Sequence, residues 1–140
     1  MMTPAEIQEL VGDHWPVAKR SSTAMLLVLD LDGYPQKVLL ETAAERGRPG
    51  LVVVAEVGPS RLIGPEKALE YNATAETGAL ALARGVLVLR QVLPLDAIAA
   101  EDVHGAIRAG AVEAARLRRT VSRPAMLPEL SRVTFAHLAE

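Results

Sequence analysis

Long apolar runs alternate with short polar breaks along this chain, and their spacing predicts its elements. Ala24 to Leu31, Gln36 to Thr42 and Leu51 to Val57 are rich in Val and Leu and are bounded by Gly, Pro and Asp, which marks strands. Gly78 to Ala83 and Val86 to Leu93 flank Arg84-Gly85 and predict a further hairpin. Helical signals lie between and around these segments. Thr3-Pro4-Ala5-Glu6 combines a capping Thr, a Pro suited to the first turn and a Glu that completes a capping box. Ile7, Leu10 and Val11 follow as an apolar stripe, which should end near Gly12-Asp13 because Pro16 forbids extension. Gly64-Pro65 opens a second helix, from about Glu66 to Thr77, with Ala68, Leu69 and Ala73 as apolar positions. Val103, Ile107, Ala111, Ala114, Leu117 and Val121 recur at spacings of three and four. They predict a long last helix that begins at Asp96 or at Glu101-Asp102 and runs to about Ser122. Gly105 and Gly110 weaken that helix intrinsically, so they are expected to mark close packing on a sheet.

The order is therefore α-β-β-β-α-β-β-α followed by a tail. Consecutive strands with helices between the hairpins predict an α+β fold, an antiparallel β-sheet with helices packed on it. One domain over residues 1–122 is expected. Residues 123–140, interrupted by Pro124 and Pro128, are expected to form a C-terminal tail with a short helix through Phe135 and Leu138.

The strands are apolar on both faces. Ala24 to Leu29, Leu51 to Ala55 and Val86 to Leu89 carry no polar alternation, and such strands want cover on both sides. Three helices can cover one face of a five-stranded sheet, which leaves a second face to bury. At about 25 cal/mol per Å² of apolar area, an uncovered face drives association, so a homodimer, a client protein or both are expected.

Composition narrows the function classes. The 140 residues are half hydrophobic but include one Trp, two Tyr and one Phe, so the core is aliphatic. A net charge of −2 gives no general attraction to phosphate backbones, and few aromatics are left for base stacking; no direct nucleic-acid binding is expected. The absence of cysteine removes disulfides, thiolate nucleophiles and Cys-based zinc sites. The first residues lack the basic-then-apolar profile of a signal peptide, and no apolar run is long enough to span a bilayer. A soluble, cytoplasmic protein is expected.

One stretch invites a catalytic reading. Leu26 to Thr42 contains Leu-Asp-Leu-Asp-Gly, which resembles the nucleophile loop of haloacid-dehalogenase-type phosphatases, with Asp30 as nucleophile and Asp32 as acid/base beside magnesium. Partners can be assembled as Ser60, Lys67 and Glu101-Asp102, but that family's parallel sheet needs alternating β-α units, and Tyr34 stands where its Thr usually follows the Gly. Asp-Gly between two apolar runs is better read as a hairpin turn, with Asp30 and Asp32 near it in water. His14, His104 and His137 have no metal-ligand spacing, and His104 is expected on the polar side of the last helix. Gly58 to Gly64 lacks the Lys-Ser/Thr ending of a phosphate loop. Arg116, Arg118, Arg119 and Arg123 form a basic cluster without a nearby acid, explained by the dipole at a helix C-terminus or by an acidic partner. No catalytic, cofactor or metal residues are therefore assigned.

Taken together, the order of elements resembles the type III secretion chaperone-like fold, shared with YbjN-like bacterial proteins. LVLDLDGYPQKVLLETA looks like that family's first hairpin and LVVVAEVG like its third strand. GALALARGVLVLRQVLPLDAIAAEDVHGAIRAGAVEAARLR looks like its last hairpin, Leu-Pro-Leu corner and closing helix. The resemblance spans roughly residues 3–122 and rests on hydrophobic pattern. It implies a small acidic homodimer without enzymatic activity that presents apolar sheet surface to a segment of a client protein. On that basis a dimer contact is expected at Leu69, Leu80, Leu82, Val86 and Val88. Leu26, Val28, Val38, Leu40, Val52 and Val54 are the candidates for a partner-binding row. The alternatives are the magnesium-dependent phosphatase using Asp30 and Asp32, and a structural or regulatory dimer without a client.

Overall fold

The computed structural model describes residues 2–45 and 47–121. Helix α1 (Pro4–Gly12) starts with the expected capping box: the Thr3 hydroxyl accepts from the Glu6 amide, and the Glu6 carboxylate accepts from the Thr3 amide. Then follow β1 (Val17–Arg20), β2 (Ala24–Leu31), β3 (Tyr34–Glu45), β4 (Arg48–Pro59), α2 (Pro65–Thr74), β5 (Ala79–Ala83), β6 (Val86–Pro94) and α3 (Ala100–Val121). All six strands form one sheet in the order β1-β2-β3-β4-β6-β5, and every pairing is antiparallel. This is the expected α+β architecture in the expected order, with one strand more.

The additional strand, β1, lies at an edge of the sheet. Val17-Ala18-Lys19-Arg20 is short, largely exposed and bulged between Val17 and Lys19. Short, cationic edge strands discourage further pairing, and the same features deprive them of an apolar signature. The opposite edge, β5, is guarded differently: the Asn72 side chain of α2 accepts from the Leu80 amide at 2.7 Å and donates to its carbonyl at 3.1 Å. One side-chain amide thus satisfies the outward main-chain groups of that residue, as a neighbouring strand would.

Two hairpins turn on two-residue loops. Asp32 and Gly33 both have positive φ, 53° and 86°, and so do Arg84 and Gly85, 51° and 81°. That geometry matches the twist of the flanking strands, and it favours Asp-Gly.

All three described helices pack on one face. Its core joins Ile7 and Val11 of α1 to Met25, Leu27, Val38, Leu40, Leu51, Val53 and Leu89 of the strands and to Val103, Ile107, Ala111, Ala114 and Leu117 of α3. The predicted stripe of α3 is therefore the buried stripe as far as Leu117. Gly110 is where that helix comes closest: a Cβ there would stand 2.6 Å from Gln91 Nε2, which itself donates to the Ala106 carbonyl. Gly105 has open space around it, so the close-packing expectation holds for one glycine and fails for the other. The C-terminal tail and its short helix lie outside the described residues.

Candidate functional site

The second face of the sheet is the strongest candidate surface. Side chains alternate along a strand, so the residues between those of the helix-covered core point the other way. Ala24, Leu26, Leu39, Val52, Val54, Val86 and Val88 form a second cluster on that side, each between 1 and 7% exposed. Its half-buried neighbours are Ala81 and Ala83, also from β5 and its end. Every described member of the cluster is thus a strand residue, whereas the other cluster draws on all three helices.

The partner-binding row expected from the sequence splits between the two faces. Leu26, Val28, Val52 and Val54 share the second face, while Val38 and Leu40 lie under the helices. The cross-strand register explains the division: Leu26 opposes Leu39, and Leu39 opposes Val54. The β3 contribution to this face is thus Leu39, one residue away from both positions expected, and such an offset reverses the face.

The expected dimer contact divides as well. Leu80 is buried in the helix-covered core, and Val86 and Val88 belong to the second face. Leu69 on α2 and Leu82 on β5 are 69% and 67% exposed, which makes them the accessible pair of that set. Both lie on elements at the β5 margin, where α2 packs alongside the edge strand.

Glu56 interrupts the apolar second face. It opposes Val88 across the sheet and is 4% exposed, and its Oε2 has no hydrogen-bond partner among the described residues. Burial pushes its carboxyl up to about 7, although Lys37 and Arg118 work in the opposite direction. Desolvation of the charged form therefore outweighs the attraction of two cations.

On the other side of the same backbone, Arg118 makes a latch. Its Nη2 donates to Gln36 Oε1 at 2.6 Å and its Nη1 to the Glu56 carbonyl at 3.2 Å, and its guanidinium stacks 3.9 Å from the centre of the Tyr34 ring. Gln36, fully buried, donates in turn to the Glu56 carbonyl at 2.8 Å. The irregularity that this network serves is the register shift between Glu56 and Gly58. Burial draws the Arg118 guanidinium down from its ordinary value.

Two expectations about the basic cluster are overturned here. Arg118 is buried structure rather than a free surface cation, and Arg116 has an acid beside it. Its Nε and Nη2 donate to the two carboxylate oxygens of Glu113, each at 2.7 Å. Tyr71 of α2 donates to the same carboxylate at 2.6 Å, which ties α2 to α3. Arg116 holds the Glu113 carboxyl below its ordinary value, and burial with the Glu113 contact pushes the Tyr71 hydroxyl up to about 12. The acid stood three residues before Arg116, a spacing that helices bring together.

The histidines also meet in a way their spacing did not suggest. His14 and His104 stack with ring centres 4.2 Å apart, and Trp15 packs edgewise on both, at 5.6 and 5.2 Å. His104 is half-buried at this α1–α3 junction, with its Nε2 without a hydrogen-bond partner among the described residues, rather than solvated on a polar helix side. Stacked rings direct their nitrogens alongside one another, so the pair packs a corner rather than chelating an ion.

Asp30 and Asp32 sit at an exposed hairpin end. Asp30 Oδ1 accepts from the Gly33 amide at 2.8 Å, which closes the turn. The surrounding sheet is antiparallel throughout, against the parallel sheet that a dehalogenase-type loop requires. Among the described residues no three His, Asp or Glu side chains gather to hold a metal ion, and no helix is long and apolar enough to cross a membrane.

No protein-family model and no curated protein sequence matches the chain. Among solved structures, the chain is similar in fold to a chain of the HopA1–SchA chaperone–effector complex, with a TM-score of 0.57 and 16% sequence identity. The match covers 81% of this chain and 88% of that one. The chain thus shares the fold of a chain in that chaperone–effector complex.

Proposed function

We propose that this protein is a non-enzymatic, homodimeric chaperone or adaptor that binds an apolar segment of a client protein on the second face of its sheet. The observation that carries this reading is a continuous aliphatic surface built from strands alone, on a fold like that of a chain in a chaperone–effector complex. A sheet with all its described helices on one side is a two-layer structure, and its second apolar layer has to come from elsewhere. Leu26, Val28, Val52 and Val54, with Leu39 added by the register, are the client-facing residues. Leu69 and Leu82 are the dimer contact, beside an edge strand whose Leu80 groups are already occupied by Asn72.

The test combines mass measurement with two variants. Light scattering should give twice the chain mass for the wild type and the single mass for the Leu69→Asp/Leu82→Asp variant. Affinity purification from the native host should recover a stoichiometric protein that Val54→Asp loses while circular dichroism shows the fold retained. A wild-type monomer, or a partner held equally by Val54→Asp, would overturn the reading. A stoichiometric dimer with no partner would favour the structural or regulatory dimer instead.

A further inference from the structure

We propose that the end of β6 is a docking edge for an extended, basic segment of another protein, which pairs with Val92 and lies in the cavity between β6 and α3. This edge is separate from the second face and does not depend on that face being a client site. It exists because β5 is shorter than its neighbour. β5 pairs with β6 from Val86 to Arg90 only, so Gln91 to Pro94 have no described strand on that side. Gly78 sets the limit. Its φ is 73°, and a Cβ there would stand 2.5 Å from the Arg90 carbonyl oxygen, so the chain passes tight against β6 and turns away. Asn72 fixes which way the main-chain groups point. It takes both groups of Leu80, which therefore face away from β6; alternation turns those of Arg90 toward β5 and those of Val92 to the same side. The overhang spans roughly 13 Å, and Val92 is 43% exposed. An unpaired strand edge of this kind accepts an added strand.

A cavity of about 410 Å³ lies beside the edge. Gln91 and Leu93 of β6 line it from the helix-covered side of the sheet, together with Gly105 and Ala109 of α3. Gly105 gains a reason here. A glycine within a helix weakens it, and this one packs against nothing. Its bare backbone lets another chain approach α3 closely. The charge of the cavity selects the occupant. Glu76, Glu101 and Asp102 line it, and no basic side chain does among the described residues. Asp102 already accepts from the Ala99 amide at 2.9 Å, so recognition falls to Glu76 and Glu101. The added strand therefore presents aliphatic side chains to Leu93 and Ala109, and a Lys or Arg to those two acids.

The full chain is used to select binders from a phage-displayed library of random dodecapeptides. Recovered peptides should alternate aliphatic residues with Lys or Arg. Titrated as synthetic peptides into isotope-labelled protein, they should shift the amide resonances of Val92 and Gly105 and leave those of Leu39 and Val54 in place. Gly105→Phe fills the cavity from a position with open space around it, so circular dichroism should show the fold retained while binding is lost. Glu76→Gln/Glu101→Gln should weaken binding about tenfold, the effect of losing two exposed ion pairs. An absence of enrichment, acid-rich peptides, peptides held equally by either variant, or shifts confined to the second face would each overturn the proposal. So would shifts of Val92 and Gly105 that grow with protein concentration without peptide, since these place a second copy in the cavity.

Discussion

The two faces of this sheet are built from the same strands and differ in what they meet. On the helix-covered face, Met25, Leu27, Val53 and Leu89 interlock with Ile107 and Ala111 of α3, and all are fully buried. The second face is composed largely of Val and Ala, receives no described helix, and carries the carboxylate of Glu56. One face is packed against the described helices; the other is lined by strand residues alone, each 1–7% exposed, and is the surface proposed for a client. Alternation along the strand is all that separates them, so neighbouring substitutions should behave as though they lay in different parts of the molecule.

The largest effect is expected in the packed face. Leu89→Ala leaves a cavity beneath α3 and should cost about 2–5 kcal/mol, read as a lower midpoint in urea with an unchanged slope. A comparable loss from Val54→Ala on the second face would erase the contrast between the faces.

Glu56 provides a pH test of the second face. Its carboxyl ionises near 4.5 ordinarily and near 7 in the folded protein. The folded state therefore holds the proton more tightly, so stability should fall as pH rises from about 4.5 to about 7 and level off above. The full difference corresponds to about 3 kcal/mol. Glu56→Gln should flatten that profile and be the more stable protein at pH 8, measured by urea titration across the range. A wild-type profile that rises through this window would show that Glu56 is ionised and well paired in solution.

Next comes the latch beneath the same backbone. Arg118→Met removes the donor to Gln36 Oε1 and should cost about 1–3 kcal/mol through buried acceptors left unsatisfied. Thermal unfolding should show the loss, with amide exchange fastest at the register shift near Glu56 to Gly58. The smallest effect is expected from Asp30→Asn at the exposed turn, within roughly 0.5 kcal/mol. A phosphatase would lose magnesium-dependent activity with that change, and any such activity in the wild type that disappears in Asp30→Asn would revive the catalytic reading.

The sequence made a good part of this structure legible. The capping box of α1, the Asp32-Gly33 and Arg84-Gly85 turns and the long stripe of α3 are local signals, set by residues within a few positions of one another. The β1 strand was not legible, because its four residues carry charge and little apolar pattern and become a strand only by pairing with β2. The role of Arg118 was hidden for a related reason: its partners Gln36, Glu56 and Tyr34 come from distant parts of the chain. Glu113 was the exception, since its three-residue spacing to Arg116 was there to be read.

The candidate site divides along the same line. Strands that are apolar on both sides already required two layers of cover, because main-chain geometry sends successive side chains to opposite faces. The assignment of residues to those faces waited on register, which depends on how strands meet across the sheet. Hence Leu39 replaced Val38 and Leu40 on the second face, and Leu80 went beneath the helices while Leu82 stayed exposed. The sequence by itself determined the elements, their order and the surplus of apolar surface, since these follow from local backbone preference and hydrophobic spacing. Only the tertiary structure decided which side each residue serves and that Arg118 is buried, because both depend on contacts between segments far apart in the chain.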